Sequence, residues 1–306
     1  MRKYVIAAFI LGGPWLMPAI FAGQPEPPRL GPIVRYACYY GNGHEKELAR
    51  FDLLIVQPEH YDAKAVKLLK QGRAVVLGYL SIGETDVAPV EPVQSPSTGS
   101  AETLRRIPPY YLNRKGDGRP DRNGEWGSYF VDANSLEWKA RVLDHLVPDI
   151  IERHGMDGLF LDTVDTAEVY PETAAGMVAL IVAIRDRYPR MPIVVNRGFT
   201  VLDRLLGTVD GVMFECYTSK YDPTTKQSRV LRPEELESAD QTLKKVVEQR
   251  QATGLRVLLL DYVDPKDKSV RDAAVARARK TGLPYSITNG TLDKLPVDST
   301  CTVLSR

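Results

Sequence analysis

The sequence predicts an α/β fold, a single-domain (β/α)8 TIM barrel with a long insertion after its third strand. Three observations predict it. Eight short apolar, β-branched runs recur along the chain, helical patterns fall between most of them, and the runs switch from apolar to polar or acidic residues at their ends. A doubly wound open sheet would carry a Gly-rich phosphate turn after its first strand. Tyr40-Gly41-Asn42-Gly43-His44 matches that turn poorly.

Residues 1–22 come first and have the order of an export signal peptide. Arg2 and Lys3 supply charge, Tyr4 to Ile20 is apolar, and Ala19 and Ala22 are small enough for a peptidase to cut beside them. The apolar stretch is close to the minimum for spanning a bilayer, and Pro14 and Pro18 interrupt it, so cleavage near Ala22 is expected rather than a membrane anchor. The expected destination is the periplasm or the medium. A Pro-rich leader covers 23–32, and the barrel is expected over 33–306.

Strands are expected at Val34–Tyr40, Leu53–Gln57, Ala74–Ser81, Gly158–Asp162, Ile193–Asn196, Gly211–Glu215, Arg256–Tyr262 and Pro284–Asn289. Helices are expected at Asp62–Gln71, Glu137–His154, Pro171–Tyr188, Pro233–Ala252 and Ser269–Thr281, with a shorter one at Val201–Leu206. Gly72, Gly155, Gly254 and Gly282 close helices just before strands, where a left-handed residue ends the helix. Pro171 and Pro233 sit near helix starts, where a missing N–H costs little. Glu84 to Ser128 departs from the regular unit: it is rich in Pro, Gly, Ser and Arg and shows no periodicity. It leaves a strand end, so it belongs at the C-terminal mouth as a cover or cleft wall, with Pro96–Ser100 a flexible piece within it.

Composition excludes several functions. Forty basic residues against 39 acidic ones leave no basic field for nucleic acid. Cys38, Cys216 and Cys301 form no CxxC and no Cys/His cluster, so no metal and no cofactor is expected, and three thiols cannot all pair internally. The four histidines lie away from every strand end, against zinc sites and His-based acyl transfer. A monomer is expected.

Catalytic groups of such barrels sit at the C-terminal strand ends. Those ends offer Tyr39 from the first strand, Gln57 from the second, and Tyr79, Ser81 and Glu84 from the third. The fourth and fifth add Asp162, Asp165 and Asn196; the sixth to eighth add Glu215, Tyr217, Asp261, Tyr262 and Asn289. Side-by-side carboxylates cost stability unless they are paired or protonated, so a cluster of them needs a functional reason. Glycoside hydrolysis supplies one: an acid protonates the leaving oxygen while a second carboxylate attacks or activates water. Alternation puts Asp162 and Phe160 inside with Leu159 and Leu161 outside, and Glu215 and Met213 inside with Phe214 and Cys216 outside. Asp162 and Glu215 then face each other as the catalytic pair, with the other eleven as substrate-binding groups. Asp157 reads as a turn residue.

Gly78-Tyr79-Leu80-Ser81-Ile82-Gly83-Glu84, Met156 to Asp165, the Trp126-to-Trp138 segment and Phe214-Glu215 resemble glycoside hydrolase family 114. Its members are endo-α-1,4-polygalactosaminidases, similar to the hydrolase domain of Pel exopolysaccharide-modifying proteins. The resemblance implies endo hydrolysis of a cationic, partly deacetylated galactosamine polymer of biofilm matrix. It also implies Asp162 as nucleophile and Glu215 as acid/base of a retaining reaction. Two other readings stand beside it: a non-catalytic carbohydrate-binding barrel of an export or matrix system, and a metal-assisted hydrolase or lyase using Asp162, Asp165, Asp261 and Asp264.

Overall fold

A computed structural model describes residues 29–87, 91–93, 104–106 and 108–300. The export signal, the first part of the leader, Pro96–Ser100 and Cys301 lie outside the described residues. Eight strands run parallel, each hydrogen-bonded to the next: β1 (Tyr36–Tyr39), β2 (Leu53–Val56), β3 (Val75–Ser81), β4 (Gly158–Asp162), β5 (Ile193–Asn196), β6 (Gly211–Glu215), β7 (Arg256–Tyr262) and β8 (Tyr285–Thr288). All eight coincide with the expected runs to within two residues.

The cylinder closes in an unexpected way. A ninth strand, β9 (Asp298–Thr300), pairs antiparallel with β8. Its Ser299 Oγ donates to the Tyr36 carbonyl at 2.6 Å and accepts from the Tyr36 N–H at 3.3 Å, so one side chain joins the last strand to the first. Three residues are too few to show alternation, which hid this strand in the sequence.

Alternation sorts the strand residues into two cores. Cys38, Ile55, Leu77, Phe160, Val194 and Met213 fill the barrel, while Leu54, Val76, Leu159, Val195, Val212 and Leu259 pack under the helices. The end of the leader belongs to the fold rather than to a linker. Leu30, 2% exposed, and Ile33 plug the N-terminal end of the barrel.

Helices α1 (Glu45–Leu48), α2 (Ala63–Leu69), α3 (Leu136–Arg141), α4 (Thr166–Val169), α5 (Ala174–Arg187), α6 (Pro233–Thr253) and α7 (Lys268–Thr281) occupy the connections. α3 continues as wide π turns over Val142–Leu146 and Asp149–Arg153, on either side of Pro148, which has no N–H to give the regular ladder. The Val201–Leu206 helix shrinks to one 3-10 turn, Leu202–Leu205. Gly155, Gly254 and Gly282 are left-handed, with φ of 73°, 76° and 67°. At Gly72 the expectation fails: Arg73 is the left-handed residue, with φ 70°. Gly72 is needed for space instead, since a Cβ there would sit 1.6 Å from the Ala49 carbonyl oxygen.

The long insertion is more regular than its composition suggests. Glu84–Thr85 pairs with Tyr129–Phe130, and 91–93 pairs with 104–106. Aromatic side chains give it a small core: the Tyr110 ring stacks on Tyr111 at 4.8 Å and lies 5.2 Å from Trp138. Trp138, 1% exposed, donates its indole N–H to the Ile82 carbonyl at 2.8 Å and so ties α3 to the end of β3.

Candidate active site

β4 delivers Asp162 into the mouth of the barrel, and the next residue fixes its carboxylate. Thr163 is left-handed, with φ 60°, so its own N–H turns back to donate to Asp162 Oδ1 at 2.8 Å. A β-branched residue in this conformation is strained by about 1 kcal/mol or more. Its hydroxyl holds it there: Oγ1 donates to the Asp162 carbonyl at 2.6 Å, accepts the Gly83 N–H at 2.7 Å and meets Ser81 Oγ at 2.9 Å. Gly83 is required for that approach, because a Cβ would lie 2.3 Å from the Thr163 carbonyl oxygen. The other carboxylate oxygen of Asp162 accepts the Tyr79 hydroxyl at 2.8 Å.

Asn196, at the end of β5, sits between the two acids. Its Nδ2 donates to Asp162 Oδ1 at 2.9 Å and to Glu215 Oε2 at 2.5 Å. Those bonds, 2.9 and 2.5 Å, leave the bridged oxygens at most 5.4 Å apart. Tyr262 donates to Glu215 Oε1 at 2.7 Å. Burial and the Asp162 charge push the Glu215 carboxyl up, while the Asn196 and Tyr262 bonds pull it down. Asp165, paired with Arg197 at 3.1 Å, is pushed up by burial to about 7. The Asp162 carboxylate, by contrast, accepts three hydrogen bonds, from Tyr79, Thr163 and Asn196.

The mouth is a cleft of about 710 Å³ that runs from the strand ends to the insertion. Of the expected residues, Tyr79, Ser81, Glu84, Asp162, Asp165, Asn196, Glu215 and Tyr262 line it. Glu84 is buried and holds the insertion, accepting from Asn123 Nδ2 at 3.1 Å and from Ser128 Oγ.

Five expected residues lie outside the cleft lining. Tyr39 points into the outer core because Tyr36 and Cys38 take the inward positions of β1 and Tyr40, just past its end, continues them. Gln57 falls past the end of β2, where it starts the 3-10 turn Pro58–His60. Tyr217 packs outward, with its hydroxyl donating to Asp240 at 2.7 Å. Asp261, 1% exposed, also points outward, accepting the N–H groups of Thr218 and Ser219 at 2.6 and 2.8 Å. It anchors the hairpin Ser219–Asp222/Gln227–Val230. Asn289 folds onto its own loop, donating to Thr291 and Asp293. Cys216 reverses expectation too: it packs against the inner core, because its φ of 58° breaks the alternation.

Asp264 accepts from the Lys266 N–H in a loop, so Asp162, Asp165, Asp261 and Asp264 do not converge. Among the described residues no group of three His, Cys, Asp or Glu side chains is arranged to hold a metal ion. Also among them, no helix is long and apolar enough to cross a membrane. Sequence reasoning missed Tyr40, Thr163, Asp86, Glu125 and Trp126, all of which line the cleft. Tyr40 shares the parity of Cys38, a signal that could have found it.

A parallel eight-stranded barrel with two carboxylates facing across its C-terminal mouth has the arrangement that glycoside hydrolysis requires. The sequence model of glycoside-hydrolase family GH114 matches residues 23–303, and the chain belongs to that family. Its fold is similar to that of the glycoside hydrolase domain of PelA from Pseudomonas aeruginosa, at 24% identity and a TM-score of 0.68, covering 87% of this chain and 98% of that one. It is also similar to Ega3 from Aspergillus fumigatus, solved in complex with galactosamine, at 15% identity and a TM-score of 0.58, covering 86% and 95%. Among curated proteins, none matches the chain.

Proposed function

We propose that this glycoside hydrolase cleaves α-1,4-linked galactosamine and N-acetylgalactosamine polymers internally, with retention, as an exported monomer. One observation carries the substrate. Among the described residues the cleft is lined by six carboxylates, Glu84, Asp86, Glu125, Asp162, Asp165 and Glu215, and by no Lys, Arg or His, with Arg197 paired to Asp165 behind the lining, in a chain whose formal charge is only +1. Such a field draws in a polymer bearing free amines and repels an acidic one. The galactosamine bound to Ega3 supports the same sugar.

The carboxylate spacing supports the mechanism. Retaining enzymes hold their pair about 5–5.5 Å apart, whereas inverting enzymes leave about 6.5–9.5 Å for a water. At no more than 5.4 Å between bridged oxygens, the pair has room for direct attack. An Asp162 oxygen attacks the anomeric carbon, the glycosidic C–O bond breaks, and the Glu215 proton goes to the leaving oxygen. Glu215, now a carboxylate, takes a proton from water, whose oxygen displaces Asp162 and regenerates both groups. Tyr79, Asn196 and Tyr262 keep the pair in register, and Asp165 offers a carboxylate to substrate amines, while Glu84 holds the cleft wall.

Incubation with polygalactosamine should release oligomers rather than monomers, with α-configured new ends when products are read by NMR at early times. Loss of cleavage with retained polymer binding in Asp162→Asn and Glu215→Gln supports the assignment. β-Configured first products would refute retention, and no cleavage of any hexosamine polymer would refute the substrate. Export predicts a mature N-terminus near residue 23, read by N-terminal sequencing of the secreted chain.

A further inference from the structure

We propose that the insertion carries a second sugar-binding subsite, built from Trp126 and Glu125, that holds an amino-sugar unit of the polymer away from the bond being cut. It rests on the substrate reading above and deepens it. Trp126 is 57% exposed, whereas Trp138 is 1% exposed in the core. Exposure of so large an apolar ring gains nothing for folding, yet its position is tightly specified. Asn123 Oδ1 accepts the N–H groups of Glu125 and Trp126 at 3.0 and 3.3 Å. The Gly127 N–H donates to the Asn123 carbonyl, and the Asn123 N–H to the Ser128 carbonyl, each at 2.8 Å. Gly127 takes the left-handed conformation, φ 80°, that such a tight reversal needs.

The buried Glu84 carboxylate then fastens this turn to the barrel. Both of its oxygens are taken by turn residues: Asn123 Nδ2 donates to Oε1, and Ser128 Oγ donates to Oε2. Glu84 lies three residues past the end of β3 and next to Gly83, so the turn is fixed relative to Asp162 through the Gly83–Thr163 contact. The result is an indole and an adjacent carboxylate carried by a fixed turn on the wall of the same cleft that holds the proposed catalytic pair. Val169, 52% exposed, adds a second apolar surface to that lining, and Asp86 a second exposed carboxylate.

This pairing of surfaces matches an amino sugar. The apolar C–H face of a pyranose covers an indole, and a protonated 2-amine is attracted both by the ring and by Glu125. A site held rigid before binding loses little entropy when a sugar arrives. Because the turn lies on the insertion rather than on a barrel strand, it contacts a different unit of the chain from the one attacked by Asp162.

The test compares Trp126→Ala and Glu125→Gln in the full chain. Substrates are galactosamine oligomers of rising length, polygalactosamine and its N-acetylated form. Trp126→Ala should raise KM on both polymers by about tenfold with kcat little changed, and the loss should shrink as oligomers become too short to reach the turn. Glu125→Gln should raise KM for the free-amine polymer and not for the N-acetylated one. Melting curves should be unchanged, since neither side chain is buried. Equal losses on the shortest and longest substrates, or wild-type behaviour of both variants, would overturn the subsite alone. A wild-type chain that neither cleaves nor binds galactosamine polymers would overturn the substrate reading and the subsite together.

Discussion

Removal of the Asn196 amide tests how the two acids are held apart in charge while close in space. At no more than 5.4 Å, two ionised carboxylates repel by about 3 kcal/mol or more at an effective dielectric constant of about 20. Asn196 offsets this by donating to both, and a hydrogen bond to a charged group is worth about 1.5–3 kcal/mol. Its bond lowers the Glu215 pKa, so Asn196→Ala should raise that pKa, by about one to two pH units when the bond's worth is converted at 1.36 kcal/mol per unit. In the proposed mechanism Glu215 is protonated for the first step, so the basic limb of kcat/KM should move to higher pH by that amount. The second step needs Glu215 as a base, so the acid limb of kcat should move the same way. At the wild-type optimum kcat should fall roughly 10- to 100-fold. Full pH profiles of the wild type and Asn196→Ala, with thermal melts to show that both fold, measure all of this. A large fall in kcat with the basic limb unmoved, or moved to lower pH, would refute the bridging role.

The two tyrosines should act one on each acid: Tyr79→Phe and Tyr262→Phe should each lower kcat about 10- to 100-fold at nearly normal stability, checked by steady-state kinetics and melting. Thr163→Val leaves the Gly83 N–H without its acceptor and should cost about 1–3 kcal/mol in urea unfolding, whereas Thr163→Ser should recover most of it. Asp261, pushed by burial from 3.8 to about 7, takes up its proton more readily folded than unfolded. Its contribution is therefore fully present below about pH 4 and lost as pH rises through about 7, a fall of up to about 4 kcal/mol. Asp261→Asn cannot titrate, so its unfolding free energy should be flatter over that range, and an equally steep dependence would show that other groups govern it.

The barrel was legible because its signal is redundant. Each strand shows an apolar run, each run has a punctuated end, and eight repeats make a slip at one harmless. The two facing carboxylates were legible because alternation was applied to β4 and β6, giving Phe160/Asp162 and Met213/Glu215 as inward pairs. The misplaced residues fall where it was not applied. Tyr262 faces inward with Leu260, so Asp261 between them has to face out. Cys38 faces inward, which excludes Tyr39 in the same way. Gln57 and Asn289 lie beyond the last paired residues of β2 and β8, where strand geometry no longer aims a side chain. The insertion was legible only as a location, because its ribbons are two or three residues long and its anchor is a buried glutamate 39 residues from Asn123.

What no sequence pattern disclosed is how the mouth is shaped. The residue after each of Asp162, Asn196 and Glu215 is left-handed: Thr163, Arg197 and Cys216, with φ of 60°, 51° and 58°. None of these is a residue type that favours the conformation, and each costs about 1 kcal/mol or more. Each is held from elsewhere, since Thr163 Oγ1 accepts the Gly83 N–H, and the Arg197 N–H bonds the Met213 carbonyl and the Cys216 N–H the Leu260 carbonyl. Three neighbouring strands thus bend at the same level, which ends their alternation and leaves the amide and two carboxylates standing into the cleft. The strain is a property of the closed barrel, because the partners that hold it come together only when β3 to β7 lie side by side. A local reading of Thr163, Arg197 or Cys216 has no access to it.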